Sequence, residues 1–244
     1  MAGMRSNSGV PLAALMAAAL SSSLAGAGAI ATPVSASAGK AVASAAVMGN
    51  DKQTALNGVM AIENATEAIA EGEKTGVSAT QAAASAVARW PSVRAAFMRT
   101  GATDTEFAKV NGAIAALARD VAARHDLRRD ANEVTGSIAP LFARAGDRVP
   151  ADVHELDYLG RSVTLDVAVG DWARARRDGE QLLDRWDAVR AGVRARRNGT
   201  NAALSFDRAV SSLERAIAAR NVDATRAAAT GIGNGVDALE KVFA

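Results

Sequence analysis

The sequence predicts an all-α protein of seven to eight helices. Apolar residues recur three or four positions apart over most of the chain, which is the spacing of one helix face. Alternation with a period of two is never sustained, and the chain is rich in alanine, with five prolines and only 4% aromatic residues. We therefore expect two tandem four-helix-bundle-like halves, or one elongated stack of antiparallel helical hairpins.

The clearest element is a predicted helical hairpin over residues 154–193. Its two helices are joined by a tight turn at Gly170-Asp171. The apolar stripe of its first helix is Leu156, Leu159, Val163 and Val167, and that of its second helix is Trp172, Ala175, Leu182, Trp186, Val189 and Val193. Both indoles of the second helix fall on the apolar stripe, so we expect them to pack in a core.

The first 38 residues predict a cleaved, non-lipidated signal peptide. Arg5 supplies a weak positive charge, residues 10–31 form a small-residue apolar stretch without charge, and Ala36-Ser37-Ala38 is a cleavage site of the A-x-A type. The stretch is too rich in Ser, Gly and Ala for a strong membrane anchor. We expect a bacterial extracytoplasmic protein, periplasmic or secreted, with no stable membrane span after cleavage.

Four segments follow the predicted signal peptide. Residues 39–50 are rich in Ala, Ser and Gly and predict a flexible lead, either disordered or a frayed helix. Residues 51–146 predict the first helical half, residues 147–150 a linker, and residues 151–244 the second helical half.

The first half contains four predicted helical segments. Asp51 is a candidate N-cap of the first segment, and the second begins near Ser78. Thr103 or Asp104 is a candidate N-cap of the third. Pro91 lies inside the second segment and predicts a kink or a short break, and Pro140 lies inside the fourth and predicts a kink.

The second half repeats features of the first at an offset of 96 residues. Arg89-Trp90-x-x-Val93-Arg94-Ala95 corresponds to Arg185-Trp186-x-x-Val189-Arg190-Ala191. Ala122-Ala123-Arg124 corresponds to Ala218-Ala219-Arg220 at the same offset. Matching apolar stripes alone would prove little, but shared identities at one offset favour an internal repeat.

The hairpin also carries the pattern Gly170-Asp171-Trp172, then Ala175, Leu182 and Trp186-x-x-Val189. This pattern resembles that of uncharacterised bacterial extracytoplasmic helical proteins. The resemblance implies a helical fold and a location in the cell envelope. It implies no activity and no functional residue.

Composition excludes several classes of function. The chain has no cysteine, which excludes disulfides, zinc–thiolate sites, iron–sulfur clusters and thiol nucleophiles. The 28 basic and 26 acidic residues give a net charge of only +2, so no global field attracts nucleic acid. We expect no cofactor and no nucleic-acid partner.

Four residues near the start of the hairpin are candidates for a polar site: His154, Glu155, Asp157 and Asp166. His154 and Asp157 lie three residues apart and could share a helical face as metal ligands. Their H-x-x-D spacing is similar to the H-x-x-E element of imelysin-type iron-associated proteins, with Asp in place of Glu. The simpler interpretation is that acids in a first helical turn interact with the helix dipole.

A second polar candidate is the charged stretch at residues 124–133. It contains His125, which we place inside a helix, together with Asn132 and Glu133. These residues could contribute to a polar site buried between two bundles. Alternating charges are more often typical of a solvated helix face.

The sequence favours a non-catalytic protein, because no reactive group has a partner at chemical spacing. We expect an exported interaction or scaffold module that binds another component of the cell envelope, either a protein or a ligand. The alternative is an extracytoplasmic carrier of a metal or small molecule, with a polar site near His154 and Asp157.

Overall fold

A computed structural model describes the backbone of residues 35–244 and the side chains of residues 48–244. Within this part of the chain there are eight α-helices and one short 3₁₀ helix, Asp104–Phe107. The α-helices are α1 (Ser35–Ala70), α2 (Gly76–Arg99), α3 (Ala108–Ala123), α4 (Arg128–Ala145), α5 (Ala151–Ala168), α6 (Trp172–Arg194), α7 (Gly199–Ala218) and α8 (Val222–Phe243). Residues 35–244 contain no strand, so the predicted all-α class is confirmed.

The helices form two four-helix bundles. In the first bundle each of α1 to α4 packs on the next, and α4 returns to α1; helices α5 to α8 repeat this arrangement. Each bundle has its own apolar core. The largest buried side chains are Ile62, Phe97, Phe107, Leu117, Ile138 and Phe142 in the first core, and Leu156, Leu182, Trp186, Phe206 and Leu213 in the second. The bundles meet where α4 packs against α5.

Helices α4 and α5 run antiparallel across the interface between the bundles. Gly136 of α4 allows close approach, because a Cβ at this position would lie 2.7 Å from the ring of Tyr158 on α5. Seven of the buried polar residues lie on these two helices: Asn132, Thr135, Ser137, His154, Arg161, Ser162 and Asp166. Four of them, Asn132, Arg161, Ser162 and Asp166, form hydrogen bonds between α4 and α5, whereas Thr135 contacts Thr66 inside the first bundle.

Both tryptophans that mark the proposed repeat are buried and hydrogen-bonded. Trp90 is 5% exposed, and its Nε1 donates to Oδ1 of Asn111 at 2.8 Å. Trp186 is 1% exposed, and its Nε1 donates to Oδ1 of Asp207 at 2.8 Å. Each acceptor lies 21 residues after its tryptophan.

The start of the first bundle differs from the sequence-based expectation. Residues 39–50, expected as a flexible lead, belong to α1, and Asp51 lies inside that helix instead of capping it. The physical reason is the alanine content of this stretch, because alanine has the highest helix propensity. The Asp51 carboxylate accepts a hydrogen bond from Nε of Arg99 at 2.8 Å, which ties α1 to α2.

The predicted signal peptide lies almost entirely outside the described residues, so it stays a prediction. Helix α1 begins at Ser35, three residues before the end of the predicted peptide. Among the helices that the structure describes, none combines the length and apolar character needed to cross a membrane.

The two helical prolines do not interrupt their helices. Helix α2 runs through Pro91, so the short break considered there is absent, and α4 runs through Pro140. Core residues flank each proline, as Trp90 and Val93 do for Pro91. Their burial holds the neighbouring turns in place despite the lost backbone hydrogen bond.

Candidate functional site

A cleft of about 490 Å³ lies between the two bundles. Its floor is α5, and its walls are α1 of the first bundle and α8 of the second. Small residues on all three helices leave room for the cleft: Ala70, Gly160, Ala229 and Gly233. Four carboxyl residues line it, Glu67 and Glu71 on α1, Asp157 on α5 and Asp237 on α8. We call it the acidic cleft.

Arg161 is the buried cation on the floor of the acidic cleft. Its Nη2 donates to Glu67 at 3.1 Å, and its Nη1 donates to Glu71 at 3.3 Å and to Asp157 at 2.5 Å. Its Nε donates to Oδ1 of Asn132 on α4 at 3.0 Å. One guanidinium group is thus shared by three carboxyl groups and one amide, and its bonds connect the two bundles.

Glu67 is a carboxyl group of the acidic cleft whose pKa is strongly raised. Burial raises the pKa of Glu67 from 4.5 to about 8, although the positive charge of Arg161 acts in the opposite direction. The nearby Glu63 and Asp157 raise it further. Burial also raises the pKa of Glu71. Glu67 is therefore mostly protonated at neutral pH, although the Arg161 guanidinium lies beside it.

His154 lies one to two turns before Asp157 and Arg161 on α5. Its ring contacts α1 and the segment that joins α4 to α5. Its Nδ1 is 3.1 Å from Glu63 of α1, and its Nε2 is 3.3 Å from Asp147. The imidazole stacks on Phe142 at a centroid distance of 4.0 Å. Burial alone would lower the pKa of His154, but the hydrogen bonds to Glu63 and Asp147 and the charges of Glu63 and Glu240 outweigh burial and raise it. This geometry suits an imidazolium that donates from both nitrogens.

Glu240 of α8 extends the row of acids beyond the acidic cleft. Burial raises the pKa of Glu240 to about 7, and the charge of His154 opposes this increase. Glu63 and Asp237 add repulsion that favours the protonated form. Carboxyl groups of both bundles therefore face each other along α1 and α8.

A second polar group lies nearer the other end of the interface between the bundles. Asp166 is fully buried and accepts from Nη1 of Arg129 on α4 at 2.8 Å. Arg174 of α6 donates to Glu133 at 2.8 Å and lies 3.6 Å from Asp166. Burial and a hydrogen bond to Asp166 raise the pKa of Asp178 to about 6. These residues join α4, α5 and α6 by charge-assisted bonds.

His154 and Asp157 are not brought together as a pair of metal ligands. Both nitrogens of His154 face carboxylates, whereas Asp157 is bonded to Arg161. Within residues whose side chains are described, no group of three or more His, Asp or Glu is placed to hold a metal ion. Glu155 is engaged on another face of α5, where it lies 2.6 Å from Nε of Arg185.

The charged stretch at residues 124–133 divides between two environments. His125 lies in the loop between α3 and α4, not inside a helix, and it is exposed beside Asp120 at 3.3 Å. Asn132 and Glu133 do contribute to the polar interface between the bundles. Arg124 has a left-handed backbone (φ 58°) and ends α3, so the exposed loop with His125 begins at this residue.

Sequence reasoning missed most of the acidic cleft. It singled out Asp157 but not its neighbours Glu67, Glu71, Arg161 and Asp237. The available signal was the spacing of Glu63, Glu67 and Glu71, which repeats every four residues and places three acids on one face of α1. Three acids in a row on one face, with no interleaved base, are unusual for a solvated helix.

No protein-family model, no curated protein and no solved structure matches this chain.

Proposed function

We propose that this protein is an exported, non-catalytic carrier that binds a small, positively charged organic molecule in the acidic cleft. One observation carries the proposal: four carboxyl groups from three helices of both bundles converge on a cleft of about 490 Å³. This volume lies within the range of small-molecule sites. Export rests on the signal peptide predicted over residues 1–38.

The charge of the lining favours a cationic ligand. The four carboxyl groups share the cleft with two guanidinium groups, those of Arg161 and Arg128. Arg161 is already bonded to three of the carboxyl groups, and Nε of Arg128 donates to the carbonyl of Ala70 at 2.9 Å. A bound cation would let Glu67 ionise and would relieve the repulsion among the acids.

The arrangement of the acids favours an elongated organic cation over a metal ion. Successive acids of the row Glu63, Glu67 and Glu71 are about 6 Å apart along α1, because each residue adds about 1.5 Å to a helix. The described side chains form no group of three metal ligands. A linear diamine carries two charges separated along a chain, which matches carboxyl groups spread along a wall.

Titration calorimetry with 1,4-diaminobutane tests the proposal. We expect saturable one-to-one binding that weakens about tenfold in Asp237→Asn, because one charge-assisted hydrogen bond is lost. Glu71→Gln should act similarly. Glu214→Gln, on the exposed face of α7, is the matched control and should bind like the parent protein. Absence of saturable binding, or equal binding by all three variants, would contradict the proposal.

Diamine binding should strengthen as the pH rises from 6 to 9. The pKa of Glu67 is raised to about 8 and that of Glu240 to about 7, so both lose protons in this range and the acidic row becomes more negative. Acids with raised pKa values stabilise the fold fully below their unfolded pKa of 4.5, and this stabilisation is lost as the pH rises through 7 and 8. The diamine should therefore raise the Tm more at alkaline than at acidic pH. An increase in Tm that does not depend on pH would show that the titration of these two groups does not affect diamine binding.

A second candidate function is capture of another envelope protein. It is favoured by an apolar groove at one end of the first bundle, lined by residues of α1, α2 and the loop between α3 and α4. This function does not depend on the acidic cleft, because the lining residues of the two sites differ except for Arg128.

A further inference from the structure

The groove at the end of the first bundle has a volume of about 620 Å³. It opens between the α1–α2 loop at residues 71–75 and the α3–α4 loop at residues 124–127. Ile69 and Leu127 form a buried apolar base, and Val77 at the rim is 74% exposed. An exposed valine beside an apolar base is a surface that a partner's side chain can cover. We call this site the end groove.

The lining of the end groove carries more positive than negative charge. Lys74, Arg124 and Arg128 line it, and Asp126 is the carboxylate among the lining residues. Oδ1 of Asp126 accepts from the backbone N–H of Arg128 at 3.1 Å, at the start of α4. Because three cationic side chains face one carboxylate, the net charge of the lining favours an acidic partner.

The equivalent end of the second bundle offers a matched comparison. Its helices are joined by shorter turns, at residues 169–171 and 219–221. Val169, in the first of these turns, is 73% exposed, nearly the same as Val77. Val169 does not line the end groove, so a change at this residue alters charge and exposed apolar surface without touching the groove.

We propose that the end groove docks a segment of another envelope protein in which an apolar side chain is flanked by carboxylates. The apolar side chain covers Ile69 and Leu127, and the carboxylates pair with Lys74 and Arg124. This inference rests on the second proposed function, protein capture, and is independent of cation binding. It assigns protein capture to the end groove and states which side chains the captured segment carries.

Selection from a random twelve-residue peptide library on the purified chain tests the inference. We expect enriched peptides to contain an apolar residue next to Asp or Glu, and their affinity to fall as the salt concentration rises. Val77→Glu should weaken the binding of an enriched peptide about tenfold or more, because it adds a repelling charge at the rim. Lys74→Glu should weaken binding in the same direction. Val169→Glu changes the net charge by the same amount as Val77→Glu and should bind like the parent chain.

The other outcomes distinguish the hypothesis that the end groove is the docking surface from the broader hypothesis that the chain captures a protein. Enriched peptides that bind Val77→Glu and the parent chain equally would overturn the end groove but leave protein capture standing. Enriched peptides without acids would overturn the partner chemistry, and a library without enrichment would overturn both. Two further results would contradict the inference: dimerisation of the chain that Val77→Glu abolishes, or binding to phosphatidylglycerol vesicles that it abolishes.

Discussion

The two bundles hold a tryptophan in the same way but with acceptors of different charge. In the first bundle the Trp90 indole donates to a neutral amide, Asn111, and in the second the Trp186 indole donates to a carboxylate, Asp207. Both hydrogen bonds measure 2.8 Å. The comparison teaches that this position needs an acceptor for the buried N–H, whereas a charge on that acceptor is not required.

The arginine near each tryptophan pairs with a different acid in each bundle. In the second bundle Arg190 donates to Asp207 at 2.8 Å. Arg94 stands 96 positions earlier, beside a neutral acceptor, and pairs with Asp104 instead. In both arginines the buried Nε has no hydrogen-bond partner among the described residues. The two side chains therefore share an Nε that is unbonded within the described part of the chain, and their Nη2 atoms bind different acids.

Removal of either indole should have the largest effect. Trp186→Ala should lower the free energy of unfolding by about 3–5 kcal/mol, because it opens a large cavity in a buried core. Trp90→Ala should fall nearer the lower limit, because its hydrogen bond is to a neutral group. Urea unfolding followed by far-ultraviolet circular dichroism measures both. A loss below about 1 kcal/mol for Trp186→Ala, typical of a surface site, would rule out its role as a core anchor.

An intermediate effect is expected for Asp207→Asn, which makes the second bundle resemble the first. The amide can still accept from Trp186 but loses the ion pairs with Arg190 and Arg194. Because these side chains are partly exposed, we expect a loss of about 1 kcal/mol at neutral pH.

The effect of Asp207→Asn should depend on pH. Burial would raise the pKa of Asp207, but hydrogen bonds from Trp186 and Arg190 outweigh burial and lower it below 3.8. The stabilisation is therefore present above pH 3.8 and is lost as the pH falls through the lowered pKa. Unfolding measured at neutral and at acidic pH should show the variant approaching the parent protein in acid. A difference that stays constant with pH would mean that the charge of Asp207 does not contribute.

The reverse change, Asn111→Asp, should have the smallest effect. It supplies the first bundle with the acid that the second bundle has, but Arg94 must leave Asp104 to reach it. The gain should be about 0.5 kcal/mol or less, as for other exposed ion pairs. A double-mutant cycle with Arg94→Ala isolates this pair. A coupling energy near zero would show that Arg94 stays with Asp104.

Local sequence patterns were sufficient to predict the class of the fold. The apolar stripes predicted helices because each helix buries one face in its own bundle. The offset of 96 residues also relates two residues with the same unusual backbone. Arg124 and Arg220 are both left-handed, with φ of 58° and 50°, although arginine has no preference for this conformation. The low-complexity composition of residues 39–50 predicted a flexible or frayed helical lead, and the helix propensity of alanine accounts for their place in α1.

The candidate site was less predictable because its parts are far apart in the sequence. Glu67 and Arg161 are 94 residues apart, and Glu63 and His154 are 91 residues apart. Each acid alone is typical of a solvated helix face. Only the packing of α4 against α5 turns these faces toward each other, and the local sequence contains no signal for that packing.

The polar contact between α4 and α5 also determines which motion of the molecule is easiest. Each bundle keeps its own apolar core, so separation leaves the contacts within each core in place and uncovers only the face of Phe142 that stacks on His154 of α5, among the core residues discussed above. Separation mainly hydrates polar groups such as Arg161 and Asn132, which also form hydrogen bonds with water. Partial opening should therefore need less free energy than unfolding of either bundle, and backbone amides should exchange as two cooperative units. The walls of the acidic cleft belong to different bundles, so the same hinge motion would admit and release a ligand.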